Sequence, residues 1–209
     1  MPENVAARIN LGTLCDTIGD ASQAEAQFQF ALQYGVESIE QAQLVHEFLE
    51  KKGDYSRLRE LWSDYLKQYP DVVLARSFLA WALVLEGKSN DAREQIARIG
   101  VPAARSILIA QATVALLALE EGREDVVQLM GDRLVSEGDA ATRRRLLRAL
   151  ERFDGRKPGN PWTYYLTALL LHSDGQLDAA RAFLDLFANQ CSGSSCATAL
   201  AALEAKLRI

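Results

Sequence analysis

The chain has 209 residues, 49% of them hydrophobic and 24% charged, with a formal net charge of −5. That balance is ordinary for a soluble globular protein and gives no reason to expect nucleic acid, whose binders usually show a net basic surface. The longest apolar run, near Ile107 to Leu119, is interrupted by Gln111 and Thr113 and is shorter than a bilayer span, so no membrane insertion is expected.

Amphipathic periodicity predicts helices near 4–18, 21–34, 38–52, 55–69, 71–86, 89–99, 103–121, 124–137, 139–153, 161–173, 176–190 and 195–207. Glycines at 35, 53, 87, 100, 122, 138 and 175 stand at their ends, while Pro70 and Pro102 close one helix and open another. No segment alternates with a period of two, so no sheet is assigned. At the start, Met1-Pro2-Glu3 is neither basic nor followed by an apolar core, and no secretory leader is expected. Pro2 admits two readings, the seam of an array that begins upstream or a first-turn helix proline.

Gly19, Gly53 and Gly87 stand 34 residues apart, each closing one amphipathic stretch and opening the next. Self-similarity of this length marks a helical hairpin repeated along the chain, since one hairpin cannot bury its apolar face alone. The first unit carries Leu11, Gly12, Gly19, Ala24, Phe28 and Ala31, and in this it resembles the tetratricopeptide repeat, with Arg8 and Cys15 replacing two aromatics of the family pattern. A second unit shows Val45, Gly53, Tyr55, Trp62 and Pro70, with His46 in the small-residue slot. A third has Leu79, Ala80, Gly87 and Ala92, and a fourth has Ala115, Gly122 and Val127. Gly131 takes the aromatic slot of the fourth, which is expected to leave that hairpin under-filled. A last unit turns at Gly175, with Tyr164, Ala168, Ala180 and Phe187 in phase.

The resemblance implies an all-α fold, a right-handed superhelical solenoid of antiparallel hairpins with about twelve helices. The expected division is four hairpins over 1–137, an extra helix and Pro/Gly loop over 138–160, a further hairpin over 161–190 and a capping helix over 191–209. The extra helix is required because Gly122 and Gly175 are 53 residues apart, which breaks the register. It carries Arg143, Arg144, Arg145, Arg148 and Arg152 opposite Leu146, Leu150 and Phe153, and reads either as a basic patch or as a solvated face whose stems cover apolar surface.

No constellation of catalytic residues stands out. There is no glycine-rich phosphate loop, no His-Glu-x-x-His and no Gly-x-Ser-x-Gly, so a non-enzymatic protein without cofactor or metal is expected. Cys15 reads as a small core residue. Cys191 and Cys196 flank a Ser/Gly turn and admit a disulfide, free thiols or a redox pair; a bridge would favour the periplasm over the cytoplasm.

In the family the first helix of each hairpin lines a concave groove. Carried over, this implies an inner wall of Ile9, Thr13 and Asp16, then Gln43, Glu47 and Glu50, then Ser77 and Trp81, then Ala112 and Leu116, then Tyr165, Leu169 and His172. Trp81 is expected either to anchor a partner's apolar side chain or to pack on a neighbouring hairpin. One subgroup grips acidic chaperone tails with Lys and Asn; Ile9, Thr13, Leu44, Leu74 and Phe78 occupy those slots here, so no such clamp is expected. The function so implied is a protein–protein interaction module or scaffold holding a partner's peptide segment in the groove. The alternative is an accessory domain of a larger enzyme or membrane-associated complex, such as cell-envelope polysaccharide machinery. Because no polar helix precedes Val5, Ile9 and Phe28, self-association through the N-terminal hairpin is also expected.

Overall fold

A computed structural model of the chain describes residues 4–207, without the side chains of Val101 and Arg105; Pro2 lies outside the described residues. Among them the protein is all-helical, with no strand and thirteen helices. The chain divides into two compact units, Met1–Ile99 and Gly100–Ile209.

The first unit contains α1 (Val5–Thr17), α2 (Ala21–Tyr34), α3 (Ile39–Lys52), α4 (Tyr55–Gln68), α5 (Val73–Glu86) and α6 (Ser89–Ile99). Short polar side chains start four of them. Asn4, Asp20, Ser38 and Asp54 each accept from the backbone N–H three residues on, satisfying a donor that the first turn leaves orphaned. Gly53 and Gly87 end α3 and α5 in the left-handed region, at φ 73° and 87°, where a side chain would be strained. α1 pairs with α2, α3 with α4 and α5 with α6, while α1 also packs on α3 and α4 on α5. The α1–α2 approach depends on Gly12, since a Cβ there would lie 3.1 Å from that of Gln27 and 3.2 Å from the Phe28 ring. Phe28 in turn stacks on Phe48 with ring centroids 4.5 Å apart, joining the first hairpin to the second.

The second unit contains α7 (Val101–Ser106), α8 (Leu108–Glu121), α9 (Glu124–Ser136), α10 (Ala140–Arg156), α11 (Pro161–Ser173), α12 (Leu177–Gln190) and α13 (Ser194–Leu207). One expected helix, 103–121, is two: Ile107 is extended, with φ −106° and ψ 112°, and its carbonyl then accepts from Gln111 to open α8. The break raises the count from about twelve to thirteen. Another difference lies at the Pro/Gly loop, whose first residues, Gly155 and Arg156, belong to α10.

α8 pairs with α9 and α11 with α12, and α9 packs directly on α11. The inserted α10 therefore does not separate those hairpins; it lies against α8 and α11. Arg143 fastens it, donating through Nε to Asp174 at 2.8 Å and through a second nitrogen to the Gly138 carbonyl. Gly131 turns out to be filled space. A Cβ there would come within 2.8 Å of Leu166 Cδ2 and 3.1 Å of Leu169 Cδ2, so the aromatic missing from α9 is replaced by two leucines of α11 that the glycine lets in. α13 packs on α12 and α11, burying Cys196, Ala199, Leu203 and Leu207 along one stripe. Cys191 and Cys196 form a disulfide, with Cα atoms 5.5 Å apart, and Cys15 is a buried free thiol.

Candidate functional site

The expected inner wall is mostly interior. α5, α8 and α11 carry apolar residues on nearly every face, as helices of a protein interior do. Ser77 to Leu85, Ala115 to Leu119 and Trp162 to Leu171 are buried without interruption. Ser77, Trp81, Ala112, Leu116, Tyr165 and Leu169 are therefore core residues. His172 is half-buried. Burial of Tyr165, with the Asp132 carboxylate second, pushes its phenol above the ordinary value, so it stays neutral. In the first unit Ile9 and Glu50 are also buried, which leaves Glu47 exposed and Thr13, Asp16 and Gln43 half-open on the neighbouring helices α1 and α3. Asp16 is held by Lys51 at 2.9 Å.

Trp81 has no exposed surface. Its Nε1–H donates to Glu50 Oε1 at 2.8 Å, so two residues expected on a groove wall hold each other inside the unit. The neighbouring Glu50 Oε2 lies 3.7 Å from His46 Nε2, and His46 Nδ1 accepts from Trp62 Nε1–H at 2.8 Å. Indole nitrogen only donates, so Nδ1 must be unprotonated and the remaining imidazole proton sits on Nε2, facing the carboxylate. Phe78 completes the cluster, stacked on Trp62 at 4.7 Å and nearly parallel, and edge-on to His46. A histidine in a small-residue slot followed sixteen residues later by Trp62 was the available sequence signal; the partnership with Glu50 was not visible in it.

Two surface features were not foreseen. Leu11 and Leu14 on α1 and Ile18, which caps its C-terminus, are 44%, 57% and 71% exposed, spaced three and four residues apart and preceded by exposed Ala7. That is the seam spacing of paired helices. The face named beforehand is different: Val5, Ile9 and Phe28 are buried. In the second unit a cavity of about 460 Å³ lies among α10, α11 and α12, bounded by Leu147, Leu150, Tyr164, Leu171 and Phe183, with Glu151 and Asp154 among its polar groups. A smaller cleft of about 320 Å³ between α2 and α4 has mixed charge, from Arg57, Glu60 and Asp64.

Compared with known proteins, the chain matches no family model, no curated protein sequence and no solved structure. No helix among the described residues is long and apolar enough to cross a membrane.

Proposed function

We propose that the protein is a non-enzymatic interaction module, a tetratricopeptide-like array whose hairpins stack in a right-handed sense and which docks a helical segment of another protein along α1. The observation that carries the reading is the stripe of Leu11, Leu14 and Ile18, apolar side chains left in solvent at heptad spacing. Apolar clusters of this kind mark interaction sites, and a partner helix covering them fills the seam that two helices share. Support for the repeat assignment comes from the paired packing of α1 with α2 and α11 with α12, and from the close approach that Gly12 permits. The disulfide Cys191–Cys196 favours an oxidising compartment, the periplasm among them.

The test is affinity capture from the native source with wild type and a Leu11→Ser/Leu14→Ser/Ile18→Ser variant side by side, together with sedimentation of each. Truncating exposed side chains leaves the fold intact, whereas each leucine removed from a docked seam weakens binding by about 1 kcal/mol or more. A partner retained by wild type and lost from the variant supports the reading. A dimer that the same variant abolishes makes the partner a second copy. Equal recovery, with both proteins monomeric, overturns it. Truncating Trp81 is no test of docking, since that side chain is interior.

A further inference from the structure

The first hairpin carries little charge, and none of it stands on its exposed apolar stripe. Between Asn4 and Tyr34 the charged residues are Arg8, Asp16, Asp20 and Glu25. Arg8 donates to Gln27 Oε1 at 3.0 Å and lies over the Phe30 ring, Asp16 is held by Lys51, Asp20 accepts from the Ser22 hydroxyl and the Gln23 N–H, and Glu25 meets Lys52 at 2.6 Å. Beside the stripe of Ala7, Leu11, Leu14 and Ile18, the exposed Asn10 and Thr17 are neutral as well. Flanking charges are what select a helix of another sequence for such a seam, and this seam has none to offer. What it does offer is a match to itself. The four residues are spaced four, three and four apart, which reads the same in both directions. Laid antiparallel on a copy of itself, the helix sets Ala7 opposite Ile18 of the second copy and Leu11 opposite Leu14. The smallest side chain of the stripe then meets the one that stands furthest out, at 71% exposure, and the leucines interdigitate. Arg8 falls beside Thr17 of the second copy and far from its own counterpart, so the arrangement brings no like charges together.

We propose that the helix that docks on α1 is α1 of a second copy of this chain, the two lying antiparallel about a two-fold axis that passes beside Gly12 and Thr13. The inference rests on α1 being a docking helix and names what docks there. Two-fold symmetry makes each contact twice, so one short stripe supplies both sides of the seam. The area covered is small beside the ~800 Å² per partner of a standard interface, and the dimer is therefore a dissociable one, forming in the micromolar range.

The experiment is sedimentation equilibrium of the full chain from low micromolar to millimolar concentration, for wild type, Leu11→Lys, Leu14→Glu and an equimolar mixture of the two variants. Both positions are exposed, so circular dichroism should show the fold unchanged. Wild type should dimerise, and each variant alone should dimerise about thirtyfold or more weakly, because a symmetric pair loses the contact twice. The mixture tests the register. In an antiparallel pair the ammonium introduced in one variant faces the carboxylate introduced in the other, while Leu14 of the first still meets Leu11 of the second. The mixture should therefore associate about tenfold more tightly than either variant with itself. A parallel pair sets both new charges against leucines and gains nothing. A wild type that stays monomeric, a dimer that neither variant weakens, or a mixture no tighter than its components overturns the proposal. The docking role of α1 fails separately: a monomeric wild type that still captures a partner through Leu11, Leu14 and Ile18 keeps that role and refutes the self-pairing, whereas a monomer that captures nothing refutes both.

Discussion

Replacing Trp81 by Phe removes one buried N–H from Glu50 while keeping most of the ring. The carboxylate then loses its 2.8 Å donor without gaining solvent. A hydrogen bond to a charged group is worth about 1.5–3 kcal/mol, and the lost ring adds roughly 1 kcal/mol of cavity, so the variant should be about 3 kcal/mol less stable. Glu50→Gln tests the other end. Its amide oxygen still accepts from Trp81, but its NH₂ faces the His46 Nε2–H, donor against donor, because Trp62 holds His46 Nδ1 as an acceptor. That change should cost about 1–3 kcal/mol. Glu50→Leu closes a cycle with Trp81→Phe: in the double variant both members of the pair are apolar, and the loss should fall about 1 kcal/mol or more short of the sum of the Glu50→Leu and Trp81→Phe singles. Urea melts of wild type, Glu50→Leu, Trp81→Phe and the double variant, followed by circular dichroism at constant m, supply the cycle. Singles within 0.5 kcal/mol of wild type, or strictly additive losses, would refute the reasoning that this pair is a coupled part of the core.

Gly131→Ala places a methyl where Leu166 Cδ2 stands 2.8 Å away, and the leucines of α11 must shift; thermal melts should show a loss of about 1–3 kcal/mol. Reducing Cys191–Cys196 opens a loop of only five residues' separation, so denaturant titrations with and without dithiothreitol should differ by roughly 2 kcal/mol, with α13 releasing first in hydrogen exchange. An unchanged midpoint would mean that the buried stripe from Cys196 to Leu207 holds α13 in place without the bridge.

Local order was legible because its causes are local. Period-3.6 patterning placed the helices and Gly53 and Gly87 marked where two of them end; the caps at Asn4, Asp20 and Asp54, found in the structure, act through hydrogen bonds that reach no further than a few residues. The pairing of α11 with α12 across Gly175 followed from the same motif. Even the short break at Ile107 lay close to a visible cue, Pro102, although the extended conformation itself did not.

Exposure and partnership are another matter, because they depend on what lies beside a helix and not on what lies along it. A first-helix position that looks outward by phase is interior once its helix is covered on every side, and that is the position of Trp81, Leu116, Tyr165 and Leu169. Glu50 and Trp81 meet across 31 residues and His46 and Trp62 across sixteen, contacts that only the packing of α3, α4 and α5 brings about. The same holds for the slot at Gly131, filled from α11, and for the cavity beside α10, where three helices converge. Apart from the break at Ile107, sequence alone determined the helices and the hairpins they pair into, since these follow from neighbours in the chain; tertiary structure alone decided which faces remain open, since burial is a property of the assembled hairpins.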